Sequence, residues 1–317
     1  MSSRIDVHQH LLPSRYLKAL EDSGETAGGW PMPSWSPAAA TAMMDGAGIA
    51  TGVLSISAPG VHFGDDAAAR DLAREINDFQ AELVKDTPDR FGHFAVLPLP
   101  DFDGAVAEAV RALDDLHADG VVLLSNARGH YLGDPAYEPL WTELAARRAV
   151  VFVHPAEPPI ARLDGLPSPL LDFPFDTTRA ALDLVAHGVF DRHPDLRIIL
   201  SHAGGFLPFA AHRFTGAAMF NPGTTPDGIL AGLRKFYFDT ALSATPTALP
   251  SLYAFAEPGH VLYGSDFPFA PAEWREGFDR NLTTYEGPGA DRFPDVDRTA
   301  AEALFPRLAR NRVTARP

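Results

Sequence analysis

The sequence predicts an α/β fold, and within that class a (β/α)8 TIM barrel with a Pro/Gly-rich lid inserted after the first strand. Three observations carry the prediction. Eight short apolar runs recur along the 317 residues, each followed by a stretch of helical periodicity. These runs are apolar throughout, the pattern of parallel strands covered on both faces. No Gly-x-Gly-x-x-Gly follows a strand and no phosphate loop occurs, so the open-sheet nucleotide folds have no support. Eight β-α units in a chain of this length close into a barrel, read here as one domain over residues 1–317.

The first strand is Arg4-Ile5-Asp6-Val7-His8-Gln9-His10, where Ile5 and Val7 alternate with polar neighbours. A short helical stretch around Tyr16 to Glu21 follows. Residues 22–37 form the lid, with Gly28-Gly29-Trp30-Pro31-Met32-Pro33-Ser34-Trp35 at its centre. A loop that long is either functional or disordered, and its two tryptophans favour a lid. Ala38 to Gly48 reads as a helix ending at glycine, and Gly52 to Ser57 as the second strand.

From there the alternation is regular. Helices are expected at Asp65 to Lys85, Asp103 to Ala118, Tyr137 to Arg148 and Asp176 to Arg192. Between them lie strands at Gly92 to Leu97, Gly120 to Ser125 and Val150 to Pro155, with Leu196 to His202 next. Phe206 to Ala218 and Pro226 to Leu233 are helical, then Phe236 to Asp239 is the seventh strand. A helix at Pro246 to Phe255 leads to the eighth strand, His260 to Asp266. Helices around Ala272 to Tyr285 and Val296 to Ala309 complete the chain.

Composition narrows the classes of function. The net charge of −15 argues against nucleic acid and anionic membranes as partners. No cysteine occurs, which excludes disulfides, thiolate ligands and a cysteine nucleophile. A bound metal would therefore rest on imidazole and carboxylate. No signal peptide precedes the first strand and no apolar run approaches a membrane span, so a cytoplasmic location is expected.

The chemistry collects at strand ends. Residues two apart on a strand share a face, so His8 and His10 point the same way. His154 ends the fifth strand, His202 the sixth, Asp239 the seventh and Asp266 the eighth. Each alone has an ordinary structural explanation, such as a strand cap, a satisfied core histidine or an Asx-turn. Together they place four of the twelve histidines at the end of a barrel where active sites lie. Imidazole and carboxylate suit zinc, and also manganese or iron.

This constellation resembles the amidohydrolase superfamily over nearly the whole chain, with His-x-His on strand one, His154 on five, His202 on six and Asp266 on eight in the order that superfamily uses. Many members bridge two metals with a carboxylated lysine at the end of strand four. Here the lysines are Lys18, Lys85 and Lys235, and strand four ends in Leu124-Ser125-Asn126, so a mononuclear site is expected. Leu200-Ser201-His202-Ala203-Gly204-Gly205-Phe206-Leu207-Pro208, Phe173-Pro174-Phe175-Asp176-Thr177-Thr178-Arg179 and Tyr263-Gly264-Ser265-Asp266-Phe267-Pro268 look like its decarboxylase branch. That branch includes aminocarboxymuconate-semialdehyde, γ-resorcylate and 6-methylsalicylate decarboxylases.

The resemblance implies His8, His10, His154 and Asp266 as ligands of one divalent ion, zinc (Zn2+) first and Mn2+ or Fe2+ as alternatives. It implies His202 as an unligated acid/base, with either His202 or Asp266 delivering the proton. Arg213 falls where the aminocarboxymuconate enzymes offer an arginine to a neighbouring subunit's substrate, which implies a homodimer or a dimer-based oligomer. No arginine lies between Arg15 and Arg70, where those enzymes carry a second one, which disfavours a dicarboxylate substrate. Ser57 to Asp66 and the Trp30 to Pro37 loop look most like 6-methylsalicylate decarboxylases.

A small aromatic hydroxy acid losing CO2 to give a phenol is therefore the expected reaction, with Phe173, Phe175 and Trp30 as candidate ring walls. Direct loss of CO2 would leave a localised aryl carbanion, so protonation of the carboxyl-bearing carbon must come first. The rival reading is a mononuclear metal-dependent hydrolase of a lactone, ester or amide, with His202 as general base.

Overall fold

A computed structural model describes residues 4–310. Eight parallel strands pair in chain order: β1 (Arg4–His10), β2 (Ile49–Ser55), β3 (Phe91–Val96), β4 (Gly120–Leu124), β5 (Val150–His154), β6 (Arg197–Leu200), β7 (Tyr237–Asp239) and β8 (Val261–Leu262). The last edge meets the first through single hydrogen bonds. Val7 N donates to Tyr263 O at 3.0 Å, Asp266 N to His8 O at 2.9 Å and His10 N to Phe267 O at 2.7 Å. The eighth strand is thus much shorter than its apolar run, because beyond Leu262 the chain bonds to β1 one residue at a time.

The helices lie between the strands. They are α1 (Ser14–Ser23), α2 (Pro37–Ala47), α3 (Asp66–Asp86), α4 (Phe102–Asp114), α5 (Glu138–Ala146), α6 (Asp172–Ala186) and α7 (Val189–Arg192). After β6 come α8 (Leu207–Phe214), α9 (Pro226–Arg234), α10 (Ala248–Phe255), α11 (Ala272–Thr283), α12 (Thr299–Leu304) and α13 (Pro306–Arg310). Local chemistry sets many boundaries. Ser36 caps α2 by accepting from Ala39 N at 3.1 Å, and Asp65 caps α3 through Ala68 N at 2.8 Å.

Other elements also depart from the sequence reading. The helix expected from Asp176 starts at Asp172, since Pro174 is tolerated in a first turn, and it breaks before Gly188 (φ 68°) instead of running to Arg192. An antiparallel hairpin, Asn126–Ala127 with His130–Tyr131, follows β4 where no element was expected. Its two-residue loop is Arg128-Gly129, both at positive φ, and without Asn-Gly or Asp-Gly it carries no strong turn signal. In the loop 24–36, the tryptophans part company: Trp35 packs on Phe79 of α3, whereas Trp30 faces Trp274.

Phe94 and Phe152 stack inside the barrel with ring centroids 5.3 Å apart, and Phe152 carries the His8 ring at 4.9 Å. The apolar interior thus ends in a layer of imidazoles. No helix among the described residues is long and apolar enough to cross a membrane.

Candidate active site

His8 and His10 leave β1 on one face, His154 ends β5, and Asp266 follows β8. Each offers a ligand atom, and the four atoms lie within 4.8 Å of one another. His8 Nε2 is 3.0 Å from His10 Nε2 and 3.4 Å from Asp266 Oδ1; His10 Nε2 is 3.1 Å from the same oxygen. All four residues are buried.

The far side of each ring fixes which nitrogen is free. His8 Nδ1 lies 2.8 Å from Asp239 Oδ2, His10 Nδ1 is 3.3 Å from Ser55 O, and His154 Nδ1 is 2.8 Å from Pro155 O. The carboxylate at His8 and the carbonyl at His154 can only accept, so each of those Nδ1 atoms carries the proton and leaves Nε2 its lone pair. His10 Nδ1 also has Ser55 Oγ at 3.2 Å, and since that hydroxyl donates its one hydrogen to Gln9 O at 3.3 Å, His10 Nδ1 is the donor there too. Three imidazole lone pairs and a carboxylate oxygen thus converge. That donor set fits a divalent cation, and its nitrogen and oxygen chemistry suits zinc or manganese.

The electrostatics agree. Burial lowers the His8 pKa, but the Asp239 carboxylate at Nδ1, with Asp266 beyond it, outweighs burial and holds it at about 10. Burial pushes His10 down and His154 well down. Burial raises Asp266, yet hydrogen bonds from His10, His202 and His8 keep it well below the carboxylate range. The cluster therefore calls for one positive charge among the Nε2 atoms, and a bound cation takes the place of the extra His8 proton.

The site is held by backbone in unusual conformations. His202, Ala203, Gly204 and Gly205 all have positive φ, and so does Asp266 at 58°. A Cβ at Gly205 would sit 2.0 Å from Pro174 O, so only glycine fits the turn that returns the chain onto α6. At Gly264 a Cβ would lie 2.9 Å from His8 Cβ and 3.1 Å from Asp239 Cγ, which lets the backbone approach both side chains. Asp239 also accepts from His202 N at 3.0 Å and Ala241 N at 2.9 Å. Asp6 accepts from His8 N and Ser265 N, both at 3.0 Å, tying β1 to the chain after β8.

His202 stands outside the ligand group. Its Nε2 is 3.4 Å from Asp266 Oδ2, and its Nδ1 is buried with no hydrogen-bond partner among the described residues. Beside His154, His202 and Asp266 opens a cavity of about 210 Å³. Its walls include Ala27, Trp30, Leu170, Phe173, Leu242, Phe269, Trp274 and Phe278, and no lysine or arginine among the described residues lines it. A second hollow of about 220 Å³ over the ends of β2 to β4 contains none of the four clustered residues.

The sequence-derived candidates thus divide. His8, His10, His154, Asp266 and His202 come together, and Phe173 and Trp30 line the cavity. Phe175 does not, because two positions on along α6 the side chain turns to the opposite face, where it is 38% exposed. Arg213 lies exposed in the last turn of α8 and does not line this chain's cavity. His62 and His130, past the ends of β2 and β4, pair with Asp66 and Asp134, four residues on. The reading of strand ends missed Leu242, Phe269, Trp274 and Phe278. All four lie past the ends of β7 and β8, and the rule that loops at that end of a barrel build the site is the signal that finds them.

The chain matches the family model described as Amidohydrolase over residues 5–307. The 6-methylsalicylic acid decarboxylase of Aspergillus aculeatus is 42% identical, covering 97% of this chain and 97% of its own. That of Penicillium expansum is 39% identical, over 96% and 97% respectively. Among solved structures, the dihydroxybenzoic acid decarboxylase of a Polaromonas species, with bound manganese and the inhibitor 2-nitroresorcinol, superposes with a TM-score of 0.81. It is 25% identical and covers 96% of this chain and 97% of that one.

Proposed function

This chain belongs to the amidohydrolase family, and on that premise we propose that it is a metal-dependent decarboxylase of a small aromatic hydroxy acid of the 6-methylsalicylate type, releasing CO2 and a phenol. The observation that carries the reading is the convergence of three imidazole lone pairs and Asp266 at the floor of an aromatic-walled cavity. His8, His10, His154 and Asp266 would hold one divalent ion, zinc in this reading and manganese in the Polaromonas relative. When bound, such an ion polarises a substrate oxygen as a Lewis acid.

The chain's own groups supply the rest. The apolar walls of Trp30, Phe173, Phe269 and Trp274 enclose an aromatic ring and exclude water. With no lysine or arginine among the described residues of those walls, the substrate carboxylate is poorly solvated, a cost relieved as it becomes neutral CO2. A proton shared between His202 Nε2 and Asp266 Oδ2 is delivered to the ring carbon bearing the carboxyl group. That carbon becomes tetrahedral. The carbon–carboxylate bond then breaks, its electron pair restores the aromatic ring, and CO2 leaves.

Residues 24–36 act in this reading as a lid, with Ala27 and Trp30 as its inner face. A homodimer is supported by exposed Phe206, Phe209, Met219 and Phe220, which flank Arg213 in the sequence and are apolar side chains that a second copy would cover. A cytoplasmic location belongs to the same proposal. The deciding experiment is metal analysis of the purified protein coupled to a screen of ortho-hydroxybenzoates for CO2 release. One equivalent of divalent metal and stoichiometric CO2 and phenol are expected. Incorporation of water into the product without CO2 would replace this reading with a hydrolase.

A further inference from the structure

The turn after β7 runs Asp239-Thr240-Ala241-Leu242-Ser243, and Leu242 sits in it at φ 49°. The left-handed region favours glycine, asparagine or aspartate, and a bulky side chain there is an outlier. Its surroundings hold it in place. Asp239 Oδ1 accepts from Ala241 N at 2.9 Å, and Ser243 N donates to Thr240 O at 3.1 Å. Gly264 N reaches Thr240 Oγ1 at 3.4 Å. Strain retained in this way calls for an account of what the side chain does.

Core packing is not that account, because Leu242 does not join the hydrophobic core. It lines the cavity beside the metal cluster, as do Phe278, Ser243 and His202. Two other residues with positive φ, His202 and Asp266, line the same cavity, and both belong to the chemistry proposed above. Glycine would make the same turn without strain and would leave a gap in the wall.

We propose that Leu242 is the specificity-determining residue of this cavity, selecting a ring that carries an alkyl group over one that carries hydrogen or hydroxyl at the same position. This rests on the decarboxylase reading for the ligand class alone. An alkyl group against Leu242 and Phe278 removes apolar surface from water, whereas a hydroxyl there loses its water partners. Ser243, the next residue, places one hydroxyl in the same wall, so the hydroxyl-bearing ring must be part of the test.

The test uses the metal-loaded protein and three neutral ring ligands: phenol, 3-methylphenol and resorcinol. Trp30 and Trp274 line the cavity, so quenching of tryptophan fluorescence reports binding without turnover. Wild type is expected to bind 3-methylphenol about tenfold more tightly than phenol. Leu242→Ala should lose that preference. Leu242→Asn, which suits the left-handed turn, should keep the wild-type melting temperature and circular dichroism while shifting its preference to resorcinol. Either variant, folded and retaining the wild-type ratio of 3-methylphenol to phenol affinity, would overturn the assignment. So would a wild type that binds the two phenols equally. CO2 release from 2-hydroxy-6-methylbenzoate is followed in parallel. Selective binding without CO2 from any hydroxybenzoate would sink the decarboxylase reading and leave Leu242 as the selector.

Discussion

Replacing Asp239 with asparagine should cripple metal binding, although Asp239 touches no metal. Its Oδ1 accepts two backbone N–H groups, from His202 and Ala241, and its Oδ2 takes the His8 Nδ1 proton at 2.8 Å. An amide has one oxygen. If that oxygen keeps the two backbone donors, the amide NH2 faces His8 Nδ1, which must then accept. The proton moves to His8 Nε2, and one of the three converging lone pairs is lost. Loss of a partner that orients a ligating histidine costs about 10- to 100-fold in metal affinity, or about 1.4–2.7 kcal/mol. Here the upper end is expected, because the substitution favours the wrong tautomer and does not merely release the ring. Asp239→Ala, which leaves either tautomer open, should do less damage per site. Competition with a chromophoric chelator measures the dissociation constant directly, without an activity assay. Asp239→Asn protein that holds metal as tightly as wild type would refute the tautomer reasoning.

Three further outcomes are expected. His202→Asn should keep its full metal content, since His202 lies outside the ligand group, while CO2 release falls by about 100- to 10,000-fold; metal analysis and headspace CO2 on one preparation check both halves. Adding metal to chelator-treated protein at about 100 times its dissociation constant should stabilise it by about 2.7 kcal/mol, a rise of about 5 °C in a thermal melt. His93, buried in β3 with neither ring nitrogen bonded among the described residues, is pushed down by burial to about 4 from 6.5. The unfolded chain therefore takes up this proton first as the pH falls, so the stabilisation is complete above about 6.5 and is lost toward about 4, a change of about 3 kcal/mol. Denaturant titrations of His93→Leu across that range should show a flatter acid limb than wild type.

Much of the barrel was legible because its signals are local. A parallel strand is a short apolar run, and its last residue announces itself when that residue is His or Asp. The run read as Val150 to Pro155 is therefore a strand that starts at Val150 and ends at His154, one residue short of the proline. Boundaries slipped where a neighbour decided them, as in β8, whose apolar run outlasts its ladder, and in the Asn126–Tyr131 hairpin, whose pairing depends on two residues at positive φ. Phe173 and Phe175 looked alike as ring walls, because which face of α6 meets the cavity is set by how the helix docks.

From the sequence alone came the eight-strand repeat and the metal-ligand types at the ends of the first, fifth and eighth strands. Strand periodicity and side-chain chemistry are properties of neighbouring residues, and they need no knowledge of what lies across the molecule. The tertiary structure alone decided that four residues up to 258 positions apart share one point, and that Asp239, Ser55 and the Pro155 carbonyl fix the three ring tautomers. It also decided that Leu242 closes the wall. These depend on barrel closure and on contacts between loops that the chain brings together only when folded.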